Sequence, residues 1–224
     1  MLLLQFVCWL LFACILMSFI EHQVHSKLMH KRNYLSSRTK PFKRMLESHA
    51  VLHHGTYKAI FRDDPLPKGE DKGIRLNIVE GLLETLPITI IIALFSPLGA
   101  VIFAFVVAMH HFLWNQIHLE MHKPEERIFG NWPSYKFLAR HHLLHHKYPN
   151  RNFNVVFPLA DFVLGTSAKS QYSDHAEMYR LGLLTRRGTT KAPVVKANEP
   201  NSVANEPKTV ISEPITVAVD ADKK

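Results

Sequence analysis

Cysteine is almost missing from this chain: its 224 residues contain two, Cys8 and Cys14. Both lie in one apolar run, and six residues along a helix is a rise of about 9 Å, too far for a disulfide between them. A metal site here therefore has to be built from nitrogen and oxygen ligands, which excludes thiolate zinc fingers and iron–sulfur clusters. Charge is missing from two long stretches. Met1–Ile20 has no charged residue, and Leu86–Leu113 has none apart from any proton on His110 and His111. Acidic residues are absent between Glu21 and Glu47, where Lys27, Lys31, Arg32, Arg38, Lys40, Lys43 and Arg44 all fall. Aromatics are lacking from about residue 186 onward, where Thr, Ala, Val, Asn, Glu, Pro and Lys dominate and Glu-Pro recurs at Glu199, Glu206 and Glu213. Proline at that spacing rules out a coiled coil, so 186–224 reads as a disordered tail.

The uncharged stretches point to a membrane. From Leu2 to Ile20 the run is about long enough to cross a hydrocarbon core of roughly 30 Å, which predicts a transmembrane helix over 1–20. A secretory signal fits less well, because no basic segment precedes the run and no small-residue cleavage site follows it. The basic residues come directly after, and the positive-inside rule puts that end of the helix in the cytoplasm. They are explained by topology and anionic lipid, without nucleic acid as a partner. In the second stretch, Ser96-Pro97-Leu98-Gly99 interrupts the apolar run and predicts a membrane hairpin over 78–116, with both ends returning to the same side. The expected fold is all-α: integral membrane helices with a cytoplasmic histidine-rich helical cap. The endoplasmic reticulum and a bacterial inner membrane fit equally.

What the chain does have is histidine. Fourteen of its fifteen histidines lie between His22 and His146. Four groups stand out: His25 and His30; His49, His53 and His54; His118 and His122; His142, His145 and His146. On a helix, His142, His145 and His146 fall within one arc and could face the same ion. Neutral imidazole suits iron, zinc and copper, and ten such ligands exceed what one ion needs, so two metals are the natural count. Two redox-active metals would favour dioxygen chemistry, whereas two zincs would favour hydrolysis. His22, His110, His111, His141 and His175 fall outside the groups and read as supporting, interfacial or surface residues. Glu21, Glu47 and Glu120 flank the groups as either supporting carboxylates or solvated charges.

The series of groups, HxxxxH, HxxxHH, HxxxH and HxxHH, resembles that of the fatty acid hydroxylase and sterol desaturase superfamily. It covers roughly His22–Gly165, and the stretch after the last group is also similar, with Asn152, Asp161 and Gly165-Thr166 in matching places. One departure is the spacing of the second group: three residues separate His49 from His53 where the family commonly has two.

The resemblance implies a fatty acid hydroxylase-like domain over 21–185. It also implies a membrane-bound oxygenase with a cytoplasm-facing di-iron centre, in which His25, His30, His49, His53, His54, His118, His122, His142, His145 and His146 are the metal ligands and no other residue is catalytic. O2 would be the co-substrate and a lipid the substrate: a fatty acyl chain, ceramide or sterol, hydroxylated or desaturated. Electrons would come from a separate cytochrome b5-like or ferredoxin-like protein. A carotenoid hydroxylase is the nearest alternative. A metal-handling transporter or sensor is the alternative of a different class, though it should place ionisable residues within its spans.

Overall fold

A computed structural model describes residues 1–58, 60–64 and 75–185. The tail expected over 186–224, and most of the charged loop after Phe61, lie outside the described residues. Everything regular among the described residues is helical, as the sequence predicts, with no strand.

Helix α1 (Leu2–Gln23) runs without a break into a π-helical segment, π1 (Val24–Met29), so the first membrane helix extends past the predicted end at Ile20. Leu2–Met29 and Pro97–His122 are each long and apolar enough to cross a membrane. Short helices α2 (Tyr34–Arg38) and α3 (Lys40–Leu46) follow, then a second π-helix, π2 (Glu47–His53), and α4 (His54–Thr56). Asn33 caps α2 by accepting from Ser36 N at 3.0 Å, while Pro41 lies in the first turn of α3, where a missing N–H is harmless.

The stretch expected to form a hairpin is helical with a break at Ser96, and its last helix runs past 116 to His122. Helices α5 (Ile78–Glu84) and α6 (Leu86–Phe95) meet at Thr85 with a 57° bend, and Pro87 sits in the first turn of α6. The break comes at Ser96, whose side chain accepts from Gly99 N at 3.0 Å and so caps α7 (Pro97–His122). Helix α7 is one continuous helix to His122, so the second arm of the hairpin carries the third histidine group on its own last turns.

Helices α1 and α7 run parallel, since Trp9 lies beside Gly99 and Glu21 beside His110. A Cβ on Gly99 would lie 2.7 Å from the Trp9 ring, so glycine is what lets the two helices close there. Their shared core contains Ala13, Met17, Ile92, Phe103 and Val107. On the outside, Leu94, Phe95, Val101 and Phe105 are exposed, an apolar face suited to lipid chains.

Helix α5 packs on α7 through Gly81. A Cβ there would fall 2.1 Å from His111 Nε2, and the imidazole is held in place by its Nδ1–H, donated to Val107 O at 2.9 Å. Replacing Gly81 by Ala is expected to lower the thermal unfolding temperature, with an overpacking penalty of roughly 1–3 kcal/mol. An unchanged unfolding temperature in detergent would mean that α5 does not pack this closely.

At the histidine end, α8 (Pro133–Lys147), α9 (Leu159–Val163) and α10 (Tyr172–Arg180) complete the fold. A second core, with Phe61, Trp114, Met121, Tyr135, Leu143 and Val155, supports the histidines from this side.

Candidate metal centre

All ten histidines from the four groups converge, and they do so as two sets of five. His25, His30, His49, His54 and His145 form the first, and His53, His118, His122, His142 and His146 the second. Within each set the ligand atoms lie within 4.8 Å of one another. The sets abut, with rings stacked across the boundary: His54 on His146 at 4.3 Å between centroids, and His49 on His53 at 5.1 Å.

Local backbone explains how widely spaced histidines reach a common centre. His25 and His30 are five residues apart, which on an α-helix would turn them about 140° away from each other. The π-helical turn of π1 closes at i+5, bringing the first and sixth residues over one another. The same device resolves the departure in spacing at the second group. Because π2 takes one extra residue per turn, His49, His53 and His54 occupy the face that a shorter HxxHH spacing would occupy on an α-helix.

Helical spacing puts His142, His145 and His146 in one arc, and the structure divides them. On α8, His142 and His146 lie about 40° apart around the axis, whereas His145 lies about 60° to the other side of His142. Helix α8 sits over the junction of the two sets, so His142 and His146 turn into the second and His145 into the first. Segment π2–α4 straddles the junction in the same way, sending His49 and His54 to one set and His53 to the other.

The hydrogen bonds fix the tautomers. His25 Nδ1 faces Phe153 O, His145 Nδ1 faces Arg151 O at 2.7 Å, and His122 Nδ1 faces Phe61 O at 2.8 Å. A carbonyl only accepts, so each Nδ1 carries the proton and each Nε2 presents a bare lone pair. Those lone pairs point at other imidazoles: His25 and His49 Nε2 are 2.8 Å apart, His145 lies 3.0 Å from His30 and 3.1 Å from His54, and His122 lies 3.0 Å from His142. Adjacent ligands on a metal, with metal–nitrogen bonds of about 2.1 Å, are separated by about 3.0 Å. The nitrogens are therefore spaced like neighbouring ligands of one ion. His118 supports this fit, because both of its ring nitrogens are buried and neither has a hydrogen-bond partner among the described residues. A bound cation in each set would satisfy the lone pairs that the fold leaves facing one another.

Burial favours the form of the rings that binds metal. Desolvation drives His30 down to about 4, and desolvation with the neighbouring His30 drives His54 down to about 3. His49, His53, His142, His145 and His146 are lowered well below the ordinary value, first by desolvation and then by the surrounding imidazoles. A folded-state pKa below the unfolded one means the unfolded chain binds more protons as pH falls. The neutral rings thus stabilise the fold fully above about pH 6.5, and that contribution is lost on acidification toward about pH 4. The unfolding temperature of the metal-free protein should drop steadily over that window. A flat unfolding temperature between those limits would contradict this burial.

The remaining histidines have other partners. His22 pairs with Thr166 at 2.9 Å, His141 with Asp161 at 3.0 Å, and His175 with Ser170 at 3.0 Å. His110 approaches Glu21 at 3.5 Å. Of the flanking carboxylates, Glu21 and Glu120 are buried and Glu47 is exposed. Glu21 accepts from Val155 N at 2.8 Å and Asn154 Nδ2 at 3.0 Å, and Glu120 pairs with Arg127 at 2.6 Å, so both brace the backbone around the centre. No pattern in the sequence marks the aromatic lining. Trp114 lies 4.0 Å from the His118 ring and Tyr57 lies 4.2 Å from His122, both centroid to centroid.

Beside the first set, a cavity of about 250 Å³ opens between α1, α5, α6 and α7. Met17, Ile20, Met29, Leu76, Ile88 and Trp114 make its wall mainly apolar, and His25 reaches it directly. It therefore connects the apolar helices with a candidate metal ligand.

A family model described as fatty acid hydroxylase matches residues 10–166, a span that contains all ten histidines. No curated protein and no solved structure matches the chain.

Proposed function

The chain belongs to the fatty acid hydroxylase family, and on that premise we propose that it is a membrane-bound non-haem di-iron oxygenase acting on a lipid chain. The observation that carries the proposal is the sorting of ten histidines into two adjoining sets of five, beside an apolar cavity reached by one of them. His25, His30, His49, His54 and His145 would hold one iron, and His53, His118, His122, His142 and His146 the other. Iron bound there supplies dioxygen activation and removal of hydrogen from an unactivated C–H bond, with two electrons delivered by a separate electron-transfer protein.

The chain's own residues perform the rest. The carbonyls of Phe153, Arg151 and Phe61 keep His25, His145 and His122 in the tautomer that offers Nε2 inward. Trp114 and Tyr57 cover His118 and His122 and limit water at the second set. The cavity admits an apolar chain laterally from the membrane, so a fatty acyl chain, ceramide or sterol reaches the histidines without crossing water. Residues 21–185, including the 78–116 hairpin, act as one oxygenase domain behind the 1–20 membrane helix. Its histidine end faces the cytoplasm, because the acid-free basic stretch from Lys27 to Arg44 lies on the same side.

The test is product analysis. Membranes from cells expressing the chain, supplied with O2 and a reductase, should contain a lipid that has gained one oxygen or lost two hydrogens. No change in any lipid pool, with protein shown to be folded and iron-loaded, would end this reading.

A further inference from the structure

One buried carboxylate anchors the backbone whose carbonyls serve one of the two histidine sets. Asp161 has no solvent exposure and accepts four hydrogen bonds. Its Oδ1 receives Phe153 N at 2.9 Å and Thr166 Oγ1 at 2.7 Å; its Oδ2 receives Asn154 N at 2.7 Å and His141 Nε2 at 3.0 Å. The peptide it anchors includes Phe153, whose carbonyl accepts from His25. The preceding carbonyl in the bracket, Arg151 O, accepts from His145. Between them Asn152 adopts φ +56°, and its side chain ties His141 O at 2.8 Å to Ala168 N at 2.6 Å. The left-handed residue turns the carbonyls on either side of it, Arg151 and Phe153, toward the same histidine set.

We propose that Asp161 is a positioning residue for the first set alone: through the 151–154 backbone it orients His25 and His145, and it leaves the second set untouched. The second set takes its carbonyl partner from Phe61, on a different segment of the chain. This inference rests on the two sets being metal sites, as proposed above. Partners of this kind raise the basicity of a ligand and hold its ring in place, and losing one typically weakens metal affinity about 10- to 100-fold.

Asp161→Asn isolates the effect. Each carboxylate oxygen receives one backbone N–H, from Phe153 and from Asn154, and a backbone N–H cannot become an acceptor. Whichever way the amide is turned, its NH2 faces one of them, so the bracket cannot be restored.

The experiment is a cobalt(II) titration of the metal-free, detergent-purified full chain, read by visible absorption and by elemental analysis. The wild type is expected to bind about two cobalt ions, and Asp161→Asn about one at concentrations that saturate the wild type, with affinity at the lost site down about 10- to 100-fold. The residual spectrum should match that of His25→Ala, which disables the first set, and differ from that of His122→Ala, which disables the second. A merely structural role for Asp161 would weaken both sites together. Equal weakening of both, or of neither, in folded Asp161→Asn would overturn the proposal. Should that variant fail to fold, Thr166→Val removes one donor from Asp161 with little change of shape and is judged by the same criterion: selective weakening of the first site supports the proposal, and any other pattern overturns it. A wild type that binds no cobalt would instead overturn the metal-centre reading itself.

Discussion

Replacing His145 and His146 together by alanine is expected to empty both metal sites and reduce lipid oxidation by at least about 100-fold, the upper end of what losing an outer partner of a ligand does. The two residues are neighbours on α8, but each belongs to a different set of five. His145 Nε2 lies 3.0 Å from His30 and 3.1 Å from His54, whereas His146 Nε2 lies 3.2 Å from His53 and 3.1 Å from His142. Each alanine therefore removes an imidazole from the middle of its own set. The single variants should separate the sites: His145→Ala loses metal from the first, His146→Ala from the second, and only the double variant approaches a metal-free protein. Metal content by elemental analysis, alongside product analysis, checks this. A double variant that still holds metal at the wild-type level would show that the ions bind elsewhere.

Filling the cavity should do the opposite, removing activity while leaving the metals in place. Ile88 on α6 lines the cavity and packs partly buried against the core shared by α1 and α7, away from the histidine sets. Tryptophan at this position adds a bulky ring to a space of about 250 Å³. The expected result for Ile88→Trp is an unchanged metal content and a loss of activity of about 10-fold or more. Blocking the seat of an apolar chain sacrifices burial of roughly 0.8 kcal/mol per CH2, and two such groups already amount to about 10-fold. Shorter substrates should suffer less than longer ones. Full activity across chain lengths would mean that the substrate does not occupy this cavity.

Much of this was legible in the sequence because the signals were local. A long uncharged run states a membrane helix, and Ser96-Pro97-Leu98-Gly99 states a helix break, because a capping side chain and a missing N–H act on their own immediate neighbours. The helix break at Ser96 appears where that residue puts it. The inventory of histidines, and the absence of thiolates, likewise follow from composition.

How the histidines are divided was not legible, because it depends on which way neighbouring side chains leave a helix that lies over a junction. An α-helical reading sets His145 with His146 and makes His49 an outlier by spacing. Only the packed chain shows that α8 and π2–α4 each straddle two sets, and that two π-helical turns bring His30 and the His49 group into register. The carbonyls that fix the tautomers come from loops far along the chain, Phe153 for His25 and Phe61 for His122, and no pattern near those histidines names them. By itself the sequence determined the membrane helices, the elements and the supply of imidazoles, all set by nearest-neighbour chemistry. Tertiary structure alone decided which five imidazoles face each other, since the backbone's phase at each histidine and the long-range hydrogen bonds exist only once the helices are packed.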